Sequence, residues 1–205
     1  MQSRIQKAFR QIYHSKALMK KIKLFLAVFL SLQTLALAAT ENLVLGPYNV
    51  SFDMGIDDLM NWVVSDPKTS ESMDGSLTFT RYDASIADLT YPQFVSESKK
   101  GNKPSSVFIA ITKFDSTNNK IVYDTRKLVE AALHGSTDIV IVERTIDGQN
   151  GTVGNGVFTG TGTMYVGCWW IDNKTEASIT SYYPWDEGTL SLLKTIHIER
   201  INVTT

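Results

Sequence analysis

The sequence predicts an α+β domain, an antiparallel β-sheet with helices packed on it. Three observations predict it. Several segments alternate apolar and polar residues, or stay apolar over the length of a strand. Two segments place apolar residues three and four apart behind a capping residue. Many strands follow one another with no helix between them, which favours antiparallel pairing.

Gly46-Pro47 opens the strand YNVSFDM, in which Val50, Phe52 and Met54 alternate with Asn49, Ser51 and Asp53. That pattern gives one apolar face and one wet face. Ile56 to Val63 carries apolar residues at helical spacing and predicts a short helix. Residues 64–76, rich in Ser, Asp, Lys and Pro, read as a loop. LTFTRY, from Leu77 to Tyr82, alternates as a strand, and residues 96–105 form a polar, mostly basic loop. SVFIAITKF, from Ser106 to Phe114, is continuously apolar and predicts a strand covered on both faces. A turn follows from Asp115 to Lys120.

The clearest helix comes next. Asp124 is its N-cap, Leu128, Val129, Ala132 and Leu133 share a face, and Gly135 takes the C′ position. TDIVIVERTI, from Thr137 to Ile146, predicts a second central strand, and Asp147-Gly148 a turn. GNGVFTGTGTMYVGCWW, from Gly154 to Trp170, reads as a glycine-rich connection entering a core strand. Glu176 to Tyr183 alternates weakly as a strand. Pro184-Trp185-Asp186 leads into a helix capped by Asp186, with Leu190, Leu193 and Ile196 on its buried face. The closing IHIERI alternates as a last strand.

Charge is unevenly distributed. The first 23 residues hold seven Lys and Arg and no acid. The apolar run from Leu24 to Ala39 follows and ends in Ala36-Leu37-Ala38. These are the three parts of a secretory signal peptide. The run falls short of the roughly 20 apolar residues of a spanning helix. The expectation is therefore a leader over residues 1–38, cut between Ala38 and Ala39, and one domain over 39–205. An uncleaved N-terminal anchor is the alternative, and Met19 is a second candidate start. The expected location is secreted or extracytoplasmic.

Of the 20 Lys and Arg, seven leave with the leader, so 13 face all 21 Asp and Glu, a net charge of −8. Nucleic acid and anionic membrane are bound mainly by Lys and Arg, so nucleic acid is not an expected partner, and membrane is one only if the leader stays as an anchor. One cysteine excludes an internal disulfide. Asn49, Asn150, Asn173 and Asn202 each head an N-x-S/T triplet, which makes them candidate glycosylation sites in an exported chain.

The opening of the glycine-rich segment misses the dinucleotide fingerprint by one residue, and a strand rather than a helix follows it. There is no P-loop and no nucleophile elbow. Alternation places Cys168 with Met164, Val166 and Trp170, facing the core, with no Lys, Arg or His within five residues. Beyond the leader the only histidines are His134 and His197, without metal-ligand spacing. The sequence thus predicts no catalytic residue, no cofactor and no metal. Trp169, Tyr182, Tyr183 and Trp185 cluster in the last quarter and form a candidate interaction surface.

Three stretches carry a resemblance: GPYNVSFDMG, IDGQNGTVGNG and SYYPWDEGTLSLLKTIHIERI. Together they resemble uncharacterised secreted proteins of methanogenic archaea and, more distantly, the PsbP-like α/β/α sandwich. The resemblance covers about Gly46 to Ile201 and carries no catalytic residue. It implies an accessory module that docks to a larger assembly or sits on a cell envelope. The expected function is an exported, non-enzymatic interaction domain with an unknown protein partner. The alternative is an extracytoplasmic protein that binds a small ligand or carbohydrate through its aromatic cluster. A hydrolase built from dispersed carboxylates stands third and requires two carboxyls facing one cleft.

Overall fold

Backbone pairing dominates the chain. The computed structural model describes residues 40–55, 61–71, 77–86, 106–115, 124–182 and 186–201, with isolated positions between 93 and 101. The strands are β1 (Thr40–Leu45), β2 (Tyr48–Asp53), β3 (Trp62–Val64), β4 (Lys68–Glu71), β5 (Thr78–Ile86) and β6 (Val107–Asp115). After helix α1 (Thr125–Ala132) come β7 (Thr137–Ile146), β8 (Gln149–Phe158), β9 (Gly162–Asp172) and β10 (Thr175–Tyr182). Helix α2 (Asp186–Thr195) and β11 (His197–Arg200) close the chain. The described part lies in one compact unit, Ala38–Thr205. The expected leader over residues 1–38 lies outside the described residues.

The strands form two antiparallel sheets. One has the order β1-β2-β11. The other has eight strands in the order β3-β5-β6-β10-β9-β8-β7, with β4 also paired to β5. Strands hold 63% of the described residues and helices 17%. The expected α+β class, and the α/β/α sandwich implied by resemblance, are therefore overturned: the fold is mainly β. Where a helical layer was expected, a second sheet shares the core with the first. Trp62 and Val63, expected in a helix, begin β3, and the expected loop at 64–76 contains β4. β4 is exposed along its whole length, so burial leaves no apolar pattern in its sequence.

The core explains this arrangement. Leu43, Leu45, Val50 and Phe52 of the small sheet are buried together with Ile109, Ile111, Trp169, Ala177 and Ile179 of the large one. Tyr48 and Tyr82 meet edge to face at 5.8 Å across the two sheets, and Phe52 and Trp62 at 5.2 Å. Helix α2 adds Leu192 and Leu193 to the same cluster. Thr195, at its end, holds β2: its Oγ1 accepts from the Asp53 N–H at 2.9 Å.

The opposite face of the large sheet carries α1. As predicted, Asp124 caps it, its carboxylate accepting from the Arg126 N–H at 2.9 Å. Val129 and Leu133 are buried against Met164, Val166, Cys168 and Tyr182. Ala132, expected on the buried face, is exposed. In β6, Val107, Ile109 and Ile111 are buried on the shared-core face, and Ala110 and Phe114 are buried on the other, with Phe108 and Thr112 half-buried between them.

The glycine-rich segment is a hairpin of two core strands, not a connection. Gly154 lies under α1, where an added Cβ would come within 2.6 Å of Val129 and 2.8 Å of Leu133. On the other face, a Cβ at Gly167 would come within 2.5 Å of Leu193 in α2. The two glycines therefore seat the two helices. Gly154→Ala and Gly167→Ala are each expected to destabilise by about 1–3 kcal/mol through overpacking, read from urea unfolding. Unchanged midpoints would refute the seating.

Asp147 joins the sheets. Asp147 and Gly148 both have positive φ, 50° and 72°, in the two-residue turn between β7 and β8. This matches the predicted turn and suits a left-handed pair. One Asp147 oxygen lies 2.8 Å from His197 Nδ1, and the other accepts from the Ile198 N–H at 2.9 Å. The turn of one sheet thus closes the free edge of β11 in the other.

The hydrogen bond from His197 to Asp147, then the charges of Asp147 and Glu199, raise the histidine pKa. The group is largely exposed, so its pair contributes only about 0.2–1 kcal/mol. A raised folded pKa stabilises fully below the ordinary value of about 6.5 and fades as pH rises through the folded value. The Tm advantage of wild type over His197→Gln should therefore be greatest on the acid side of neutrality and vanish in mild alkali. A difference that does not vary across this window would contradict the assignment. Asp147→Ala, which also removes the acceptor for a backbone N–H, should cost about 1–3 kcal/mol at any pH near neutrality.

Candidate functional site

Three places were expected to carry chemistry or binding: the Cys168 strand, the carboxylates and the aromatic cluster. Alternation along β9 sends Cys168 to the α1 face and Trp169 to the shared core. Cys168 is buried, and its thiol donates to Glu176 Oε1 at 3.2 Å. Burial, then the Glu176 charge and hydrogen bond, push the thiol far above its usual range. Burial also raises the Glu176 carboxyl, against the opposing pull of the thiol hydrogen bond and Arg81. The pair is a closed contact between a neutral thiol and an acid. A nucleophilic cysteine needs the reverse, a lowered pKa and an approach from solvent.

The pair belongs to a polar band on the α1 face. Strand register carries this band from Glu143 on β7 through Thr152 on β8 and Cys168 on β9 to Ser178 on β10. Thr152 is buried and donates to Glu143 Oε2 at 3.1 Å, and its hydroxyl lies 2.7 Å from that of Thr125. This ties the start of α1 to the sheet beneath it. On β5, Arg81 lies 3.4 Å from Asp83, and the other Asp83 oxygen is buried without a partner. Glu143 and Glu176 are three strands apart, about 14 Å at ordinary strand spacing. Their carboxyls reach onto the two strands between, Glu143 to Thr152 of β8 and Glu176 to Cys168 of β9. Among the described residues no group of His, Cys, Asp and Glu has metal-binding geometry.

The aromatic residues do not form the expected surface. Trp169 has no exposed area, and Tyr182 is buried in the α1 cluster. Tyr183 and Trp185 lie outside the described residues. The expected surface therefore loses two of its four members to the core. Trp169 was expected at a surface because it points away from the face that holds Cys168, whereas both faces are covered there. Aromatic contacts do run across the α1 face, where Phe114 lies 6.0 Å from Phe79 and 5.8 Å from Trp170. The spacing of these residues in sequence gives no signal for that row, which arises from strand order.

Of the candidate glycosylation sites, Asn150 and Asn173 are exposed, the latter in the turn between β9 and β10. Asn49 is half-buried and donates to Glu199 at 3.0 Å. Asn202 lies outside the described residues.

The unexpected feature is β7. Predicted as a central strand, it is the last strand of the large sheet and pairs only with β8. Ile139, Val140 and Val142 are 48%, 53% and 42% exposed, and Val157 beside them on β8 is 37% exposed. An apolar run is the signature of a doubly covered strand, which is why the sequence pointed to the centre. Beside this edge an open cleft of about 340 Å³ is lined by Glu143, Arg144, Thr145, Asn150 and Gly151.

Comparison with protein-family models, with curated proteins and with solved structures yields no match. The geometry of Cys168 makes a direct expectation. The native protein should resist thiol labelling, and one thiol should label rapidly once the chain is unfolded in denaturant. Rapid labelling of the folded protein would overturn the closed Cys168–Glu176 contact.

Proposed function

We propose that this chain is an exported, non-enzymatic interaction domain that acts through the free edge of its large sheet, at the cell envelope. The observation that carries the reading is the exposed apolar run of β7. A sheet edge offers a row of unpaired N–H and C=O groups to another chain, and soluble proteins ordinarily blunt such edges.

Among the described residues the other edges are shorter or closed, although β3 exposes Val63 and Val64. β3 and β4 are three and four residues long, and β4 presents Lys68 and Glu71. β11 is closed by Asp147. β1 exposes a single large apolar residue, Val44. β7 is ten residues long and presents three exposed aliphatic side chains in succession to its one half-buried one. Its main-chain groups would supply affinity, and its side chains on both faces would supply specificity. The net charge of −8 beyond the leader fits a protein partner better than nucleic acid.

Lysine on an edge strand blocks pairing without touching the core. Val142→Lys should fold like wild type, by circular dichroism and Tm, and should lose the proteins that wild type captures from envelope material. Equal capture by the folded variant would refute the β7 reading.

A further inference from the structure

The edge of β7 is complementary to itself, and from this we infer that its partner is a second copy of the chain, paired antiparallel with β7 about a two-fold axis through Ile141. This inference rests on the reading of β7 as the interaction surface and names its occupant.

The backbone selects the residues that can pair. Ile146 and Gln149 close the two-residue turn. In such a hairpin the closing residues form a hydrogen-bonded pair, and bonded and non-bonded pairs alternate from there. Arg144, Val142 and Val140 therefore spend their N–H and C=O groups on β8, and Thr145, Glu143 and Ile141 direct theirs outward. Beyond Val140 the register shifts, with Asp138 at φ 53°, so the regular free edge runs from Val140 to Ile146.

A two-fold axis perpendicular to the sheet keeps each face continuous and restricts which residues can face each other. Axes at Glu143, Val142 and Ile141 all fall within this regular edge. An axis at Glu143 sets two carboxylates opposite each other, which destabilises a pair. An axis at Val142 sets Val140 opposite the partner's Arg144. An axis at Ile141 sets Ile141 opposite the partner's Ile141 and Val140 opposite the partner's Val142, twice over. Aliphatic pairs then meet on both faces.

Pairing also removes the hazard of the free edge. It converts a long apolar strand at the margin into an interior strand of a sheet twice as wide, which is the position the sequence of β7 describes.

The experiment uses the purified full chain in sedimentation velocity across a concentration series. The expected result is a monomer–dimer equilibrium that Val142→Lys weakens at least about tenfold with Tm unchanged. Val140→Cys and Val142→Cys proteins provide the second reading, clean because Cys168 is buried. Val140 and the partner's Val142 form a non-hydrogen-bonded pair, whose Cα atoms, about 4.5 Å apart, lie within reach of a disulfide. Mixing the two proteins should give a crosslinked dimer, and neither alone should do so at a comparable rate. Wild type that stays monomeric throughout, or a dimer that the folded Val142→Lys leaves intact, overturns the proposal. Crosslinking of Val142→Cys with itself overturns the register. If wild type is monomeric and Val142→Lys still abolishes capture from the envelope, self-pairing falls and the β7 reading stands. If the lysine changes neither, both fall.

Discussion

The packing of Trp169 into the shared core fixes the alternation of the large sheet, and the rest of the structure follows from that alternation. The indole lies between the two sheets with no exposed area, beside Gly151, where a Cβ would come within 2.9 Å of the Trp169 Cβ. One residue earlier along β9 the chain must face the other way. Cys168 therefore goes under α1 and onto Glu176, and Gly167 turns back to the core to seat Leu193. A slip of one residue would exchange the contents of the two faces, so the pattern Gly167-Cys168-Trp169 specifies the register strongly. The same constraint settles the chemistry of this region. A thiol beside a buried acid is held protonated, and an indole in the core is withdrawn from any ligand.

Two coverings hold this sheet. The small sheet and α2 cover one face, and α1 covers part of the other. The small sheet is tied on by contacts at its margins as well as by its core. Asp147 reaches β11 from the β7–β8 turn, and Thr195 holds the end of β2. Two of these, from the Ile198 N–H to Asp147 and from the Asp53 N–H to Thr195, are hydrogen bonds from backbone groups near strand ends, where the sheet would otherwise fray. The contrast with β7 is physical: the chain satisfies the edge of β11 with a carboxylate and leaves the longer, more apolar edge open.

Individual elements could be read from the residues, but the α+β class could not, because the second covering layer is a sheet. α1 was legible because a cap, an apolar face and a terminal glycine agree, and β6 because a run of aliphatic residues needs cover on both sides. The inward placement of Cys168 followed from period two alone. What the sequence hid was tertiary. β4 carries no apolar pattern because it is exposed on both faces. Trp62 was assigned to a helix because apolar spacing in a short segment fits either period. Trp169 reads as available because it alternates away from Cys168, and that second face is buried under the small sheet. β7 is the instructive case: its aliphatic run reads as central, and the single chain places it at the margin. The discrepancy is resolved if the strand becomes central in an assembly. Of the expected site, Trp169 and Tyr182 are structural, and the surface proposed in their place was not legible, because it depends on which strand comes last in the sheet.

The central claim is that the free edge of β7 pairs with a second copy. Residue-resolved amide hydrogen exchange at two protein concentrations tests it most directly. The account predicts that the amides of Val140, Val142 and Arg144, bonded to β8, are protected at both concentrations. That of Ile141, directed outward at the axis, should exchange freely in dilute solution and become protected in concentrated solution. An Ile141 amide that exchanges equally fast at every concentration would contradict the account.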